Sequence, residues 1–127
     1  MKKRKLLFVC YANQNRSPTA ERVFSEILKE RGYKVSDDVD TKGGRVVLSA
    51  GVDTNGEGKQ ISVELCDRVD EIFVMDMWMI DELVEVYKQD AGKITNLDIP
   101  DVYDRDDPKL IYLLRLKLSE YCELQGY

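Results

Sequence analysis

Cys10 and Arg16 stand with five residues between them, directly after the apolar run Leu6-Leu7-Phe8-Val9 and directly before Ser17-Pro18. A thiolate is a strong nucleophile, and a guanidinium presents a planar fork that matches two oxygens of a phosphate group at once. The run before Cys10 reads as a short buried strand. Ser17-Pro18 reads as a helix start, with a capping hydroxyl and a proline at the first helical position. The loop Tyr11-Ala12-Asn13-Gln14-Asn15 between them then sits at a helix N-terminus, where backbone N–H groups have no intrahelical partner and the macrodipole adds partial positive charge. Such a place stabilises both a bound oxyanion and a thiolate; cysteines so placed beside a cation titrate at roughly 3.5 to 7.5 instead of about 8.5. The residues Tyr11 to Ser17 are therefore the candidate phosphate cradle, with Cys10 as nucleophile and Arg16 as cation. The plainer alternative is an inert cysteine ending a strand with a solvated arginine after it. It leaves the loop and the helix signal unexplained, since the spacing alone is common and only its flanks discriminate.

Nothing else in the chain offers comparable chemistry. There is no histidine, which removes Cys-His and Ser-His-Asp systems, and three scattered cysteines make no zinc set. No metal and no cofactor are expected. An odd cysteine number without a secretory signal points to reduced thiols, with Cys66 and Cys122 read as core packing beside Leu65 and Tyr121. No apolar run approaches the ~20 residues that span a bilayer. The basic start Met1-Lys2-Lys3-Arg4-Lys5 reads as a solubilising flank, and a cytoplasmic protein without membrane contact is expected. A formal charge of -5 disfavours extended nucleic-acid contact while leaving a local phosphate site possible.

The elements that must hold the cradle alternate along the chain. Strands are predicted at residues 5–9, 45–49, 71–75 and 94–97, and helices at 18–31, 62–69, 77–89 and from Pro108 onward, with Asp107 as the last helix's cap. Ala20, Val23, Phe24, Ile27 and Leu28 make one apolar face, and Leu110, Leu113, Leu114 and Leu118 another. The stretch 33–44, with Asp37, Asp38, Asp40 and Gly43-Gly44, reads as a solvated connection. Repeated strand–helix units over 127 residues imply a single α/β domain, residues 1–127, with a four-stranded parallel sheet flanked by helices on both faces. Sites in such sheets lie beyond the carboxyl ends of the strands, where both the Cys10 loop and a late loop around Asp101 fall.

These residues resemble the low-molecular-weight protein tyrosine phosphatases, a family that also includes thioredoxin-coupled arsenate reductases. Its opening V-C-x-G-N-x-C-R-S-P-x-A-E is matched by Val9, Cys10, Asn13, Arg16, Ser17, Pro18, Ala20 and Glu21. Ser49-Ala50-Gly51 and Val74-Met75-Asp76 match later strand ends. The resemblance implies hydrolysis of a phosphate ester through a cysteinyl-phosphate, with Asp101 as general acid, and hydrogen bonds from Asn13, Ser17 and Ser49 that keep the loop open, Ser17 also orienting the thiol. Asp98, Asp104 and Asp106 lie near Asp101 and compete for its role. Three positions depart from the pattern. Ala12 replaces the loop glycine, Asn15 the second loop cysteine, and Val102 the proline after the acid, so the protective disulfide of the family has no counterpart here. The expected partner is a phosphorylated protein or a small phosphate ester, with oligomeric state left open. Arsenate reduction and a non-catalytic phospho-ligand or oxyanion-binding module are the alternatives. A reductase needs further relay cysteines that do not lie near Cys10 in sequence.

Overall fold

The computed structural model describes residues 3–127. Its centre is the strand β1, Lys5–Cys10, whose residues Leu6 to Val9 are wholly buried. It pairs in parallel with β3, Arg45–Gly51, on one side and β4, Glu71–Val74, on the other. The outer strands are β2, Val35–Ser36, and β5, Ile94–Asn96, giving a five-stranded parallel sheet in the order β2-β3-β1-β4-β5. Burial on both faces explains why these strands read as continuous apolar runs and not as alternating ones.

On one face lie α1, Arg16–Glu30, and α4, Pro108–Gln125. Phe8 of β1 stacks on Phe73 of β4 at 4.7 Å between ring centroids, and Phe24 of α1 and Tyr121 of α4 meet Phe73 edge-on. The intervening Leu7, Val9, Ile72 and Val74 are equally buried, because α3, Met77–Glu85, packs on β4 and β5. The short α2, Val63–Asp67, is capped by Ser62, whose hydroxyl accepts from the Leu65 amide. Asp107 caps α4 through the Lys109 amide, with Pro108 at the first position, as the sequence indicates.

Four expectations are corrected. The sheet has five strands because Val35 and Ser36, inside the stretch read as a connection, pair with Arg45 and Val46; two residues are too few to show a period. β1 extends to Cys10, which pairs with Gly51. α1 begins at Arg16, so Pro18 occupies its third position. The helix has no side-chain cap, because the Ser17 hydroxyl is engaged elsewhere. α3 ends at Glu85, before the left-handed Lys88 (φ 59). Of the basic start, Met1 and Lys2 lie outside the described residues, while Lys3 pairs with the buried Glu71 at 2.8 Å and Arg4 donates to the carbonyls of Thr41 and Gly43. These two cations are structural ties.

Cys66 and Cys122 are buried and unpaired. Loss of water pushes the Cys66 thiol up to about 11 from 9.0, raises Cys122, and pushes Tyr127 up to about 12 and Tyr121 further. A folded-state value above the unfolded one means the native state holds its proton longer, so stability falls with rising pH, beginning near 9.0 for Cys66 and flattening past about 11. Urea midpoints measured from pH 8 to 11 should decline. Cys66→Ala should lower the midpoint at pH 8 through lost packing yet decline less steeply, the remaining slope coming from Cys122 and the two tyrosines.

No helix among the described residues is long and apolar enough to cross a membrane.

Candidate active site

The carboxyl ends of β1, β3 and β4 bring the candidate residues together. After Cys10 the chain turns sharply, and the one left-handed residue in the turn is Asn13 (φ 55), a residue type that tolerates that region. Ala12 needs no glycine conformation, so its Cβ is accommodated. Asn13 is fastened at both ends: its Nδ2 donates to Ser17 Oγ at 2.9 Å, and its Oδ1 accepts from the Lys59 amide at 2.8 Å. The glycine of Ser49-Ala50-Gly51 is steric. A Cβ on Gly51 would lie 2.7 Å from the Asn13 nitrogen and 2.8 Å from the Ala12 carbonyl carbon.

Cys10 is almost wholly buried, and its Sγ lies 2.9 Å from Ser17 Oγ. That hydroxyl also donates to the Ala50 carbonyl at 3.3 Å. Having one proton, it accepts from a thiol while bonded to Ala50, or turns to donate to a thiolate. Ser49, by contrast, makes no side-chain hydrogen bond to the loop among the described residues. The contact that β3 provides is the Ala50 carbonyl, and Ser49 is buried in register with Phe8.

None of the backbone amides from Tyr11 to Arg16 donates a hydrogen bond to the protein among the described residues. Five of those residues, Tyr11, Ala12, Gln14, Asn15 and Arg16, line a cavity of about 110 Å³ together with Cys10 and Asp101. A run of unpartnered amides around a small hollow is rare in folded proteins and makes an anion receptor. Arg16 is 2% exposed. Its Nη1 is held by Asp76 at 3.0 Å and by the Ile99 carbonyl at 2.7 Å, so the Nε–Nη2 edge, which faces Asp101 through Nε, makes no hydrogen bond to the protein and suits two oxygens of an anion. Asp76 lies two residues after β4, at the N-cap of α3, and the sequence does not assign it a role in the site. The signals for it are its place after an apolar strand and the Val74-Met75-Asp76 match to a strand end of the resembled family.

Asp101 is exposed, and its Oδ1 lies 3.6 Å from Arg16 Nε. Its competitors are placed elsewhere. Asp98 lines a different hollow beside Lys117, Asp106 pairs with Arg22 at 2.9 Å, and Asp104 does not line the cavity. The loop around Asp101 is docked without the family's proline at 102. The Ile99 amide donates to the Met75 carbonyl, the Asp106 amide to Thr19 Oγ1, and Arg105 Nε to the Gln14 carbonyl at 2.6 Å. Arg105 was likewise missed, since an exposed arginine in an acidic loop carries no pattern. A larger hollow of about 470 Å³ beside β2 contains no cysteine; its lining includes Lys34, Lys42 and Arg45.

Comparison with known proteins agrees with this geometry. The model of the family described as low molecular weight phosphotyrosine protein phosphatase matches residues 5–111. Among solved structures, the tyrosine phosphatase Wzb of Escherichia coli K30 in complex with phosphate is similar with a TM-score of 0.74 at 20% identity, over 98% of this chain and 99% of that one. Wzb of Vibrio vulnificus in complex with benzylphosphonate gives 0.73 at 22% identity, over 96% and 99%. A mutant of the YwlE arginine phosphatase with a phosphorylated active-site serine gives 0.67 at 21% identity, over 94% and 95%. No curated protein sequence matches the chain. The family match over most of the chain and a fold shared nearly end to end with these phosphatases lead to one conclusion: the chain belongs to the low molecular weight phosphotyrosine protein phosphatase family, a family of hydrolases.

Proposed function

We propose that the protein hydrolyses phosphate monoesters in two steps through a cysteinyl-phosphate on Cys10. The observation that carries this reading is the run of unpartnered amides, Tyr11 to Arg16, closing over the Cys10 sulfur in a hollow that fits little more than one oxyanion. The amides of Tyr11, Ala12, Asn13, Gln14, Asn15 and Arg16, with the Nε–Nη2 edge of the Arg16 guanidinium, hold the three non-bridging oxygens and stabilise their charge in the transition state. The Cys10 thiolate attacks phosphorus in line, forming the S–P bond as the P–O bond breaks. Asp101 gives its proton to the departing oxygen. The resulting carboxylate then takes a proton from the water that attacks phosphorus, and the thiolate leaves. Ser17 donates to the thiolate in each half, and Asn13 holds Ser17 and the left-handed turn.

Similar phosphatases in complex with phosphate and with benzylphosphonate support a phosphorylated protein or small phosphate ester as the substrate class. Arsenate reduction has little support. Cys66 and Cys122 line no part of the cavity, and burial keeps both protonated at neutral pH. Acid quenching during turnover of a phosphotyrosine peptide, followed by mass spectrometry, should find one phosphate on the peptide containing Cys10. Absence of turnover, or brisk thiol-coupled arsenate reduction abolished by Cys66→Ala or Cys122→Ala, overturns the reading.

Arg16→Lys should cost about 10²-fold in kcat/KM for any phosphate ester, because a point-charge ammonium cannot span two oxygens and also loses the Asp76 and Ile99 anchors. Steady-state kinetics with inorganic phosphate as competitive inhibitor checks this: weaker inhibition should accompany the slower rate. Unchanged kinetics would mean Arg16 is structural only.

A further inference from the structure

We infer that an apolar collar around the phosphate cavity selects phosphorylated protein segments whose phosphorylated residue is flanked by apolar side chains, over compact phosphate metabolites. The inference rests on the phosphatase reading and concerns the ground outside the cradle. The cavity, about 110 Å³, is far smaller than the roughly 300 Å³ at which pockets begin to enclose whole small molecules, so whatever carries the phosphate rests on the rim. The rim has a pattern. Three site residues, Cys10 at the end of β1, Asp76 just after β4 and Asp101 in the loop after β5, are each followed in the chain by a large apolar residue held open to solvent: Cys10 by Tyr11, 48% exposed; Asp76 by Met77 and Trp78, 71% and 45% exposed; Asp101 by Val102, 74% exposed.

These residues are brought together by the site itself. Tyr11 and Asp101 line the cavity, Asp76 and Asp101 lie 3.0 and 3.6 Å from the Arg16 guanidinium, Met77 and Val102 are their direct chain neighbours, and the Tyr11 and Trp78 rings meet edge-on at 6.3 Å between centroids. Scattered single apolar residues need no explanation, but four exposed ones carried on the segments that build one small cavity are the features of an interaction surface. None of them makes a side-chain hydrogen bond that would give it another task. A phosphorylated segment lying across this collar buries an apolar side chain on each side of the phosphate, whereas a sugar or glycerol phosphate would cover the same surface with hydroxyls.

The test uses two phosphotyrosine peptides that differ only at the residues flanking the phosphotyrosine, leucine in one and serine in the other, with glycerol phosphate as the compact ester. The full chain should favour the leucine peptide over the serine peptide by roughly tenfold in kcat/KM, in the range that apolar pockets discriminate. Glycerol phosphate should be a poorer substrate than either. In Met77→Ser/Trp78→Ser and in Val102→Ser the peptide ratio should fall toward one; being a ratio, it is independent of the amount of active enzyme. A wild-type ratio near one, a ratio kept in both variants, or glycerol phosphate turned over as well as the leucine peptide overturns the inference. If the wild type hydrolyses neither peptide nor aryl phosphate, the hydrolytic reading fails by itself. The collar is then read from fluorescence anisotropy of the two peptides on Cys10→Ser: a roughly tenfold difference in Kd supports it, and equal Kd values overturn it.

Discussion

Cys10→Ser should lose phosphate-ester hydrolysis by at least ~10⁴-fold while still binding inorganic phosphate. A serine hydroxyl is a weak nucleophile until a base removes its proton, and this chain has no histidine to do so; the nearest polar group, the Ser17 hydroxyl at 2.9 Å, is not a base. The oxyanion receptor, in contrast, is made of backbone amides and Arg16, none of which the substitution touches. Wild type and variant should therefore be protected alike by phosphate against urea unfolding, by about 2.7 kcal/mol at a hundredfold excess over Kd. Rapid-quench and steady-state assays measure the first half of the claim and urea midpoints with and without phosphate the second. Turnover close to wild type would place the nucleophile elsewhere. Lost protection would show that the sulfur, and not the amides, holds the anion.

The second large effect depends on the leaving group. Asp101→Asn should slow hydrolysis of a phosphotyrosine peptide by about 10³-fold but that of nitrophenyl phosphate by about tenfold or less, because a nitrophenolate departs without a proton while a tyrosine phenolate needs one. Asp101 is the carboxylate that shares the cavity with Cys10 and Arg16. Asp98→Asn, Asp104→Asn and Asp106→Asn should lack this dependence. Asp106→Asn should instead show a stability loss of less than about 1 kcal/mol through its pair with Arg22, both partners being well exposed. Should one of these three show the leaving-group signature and Asp101→Asn not, the acid lies on the wrong carboxylate here.

The cradle was legible because its signals are local. Five residues between Cys10 and Arg16, an apolar run before and a helix start after, specify a strand, a loop and a helix whose amides converge whatever the rest of the chain does. The Ser17 assignment shows where local reasoning misleads: read as a cap, the hydroxyl is drawn instead to Cys10, Asn13 and Ala50, because β3 and the loop close around it and helix α1 starts one residue before it. Val35–Ser36 joins the sheet only because β3 offers it an edge.

The amino-acid sequence by itself determined the parallel α/β plan, the absence of any histidine-based chemistry and the choice of Cys10 and Arg16 as the proposed nucleophile and cation, since residue type, spacing and apolar periodicity act over a few residues. Only the tertiary structure decided which carboxylates stand beside the cradle, setting Asp101 there in place of its neighbours Asp98, Asp104 and Asp106 and adding Asp76. Asp76 and Asp101 lie far from Arg16 in sequence, and it is the adjacency of β1 and β4, with the 97–107 loop docked through Ile99, Arg105 and Asp106, that sets both against one guanidinium. That convergence depends on packing over long sequence separations, for which no local pattern carries the information.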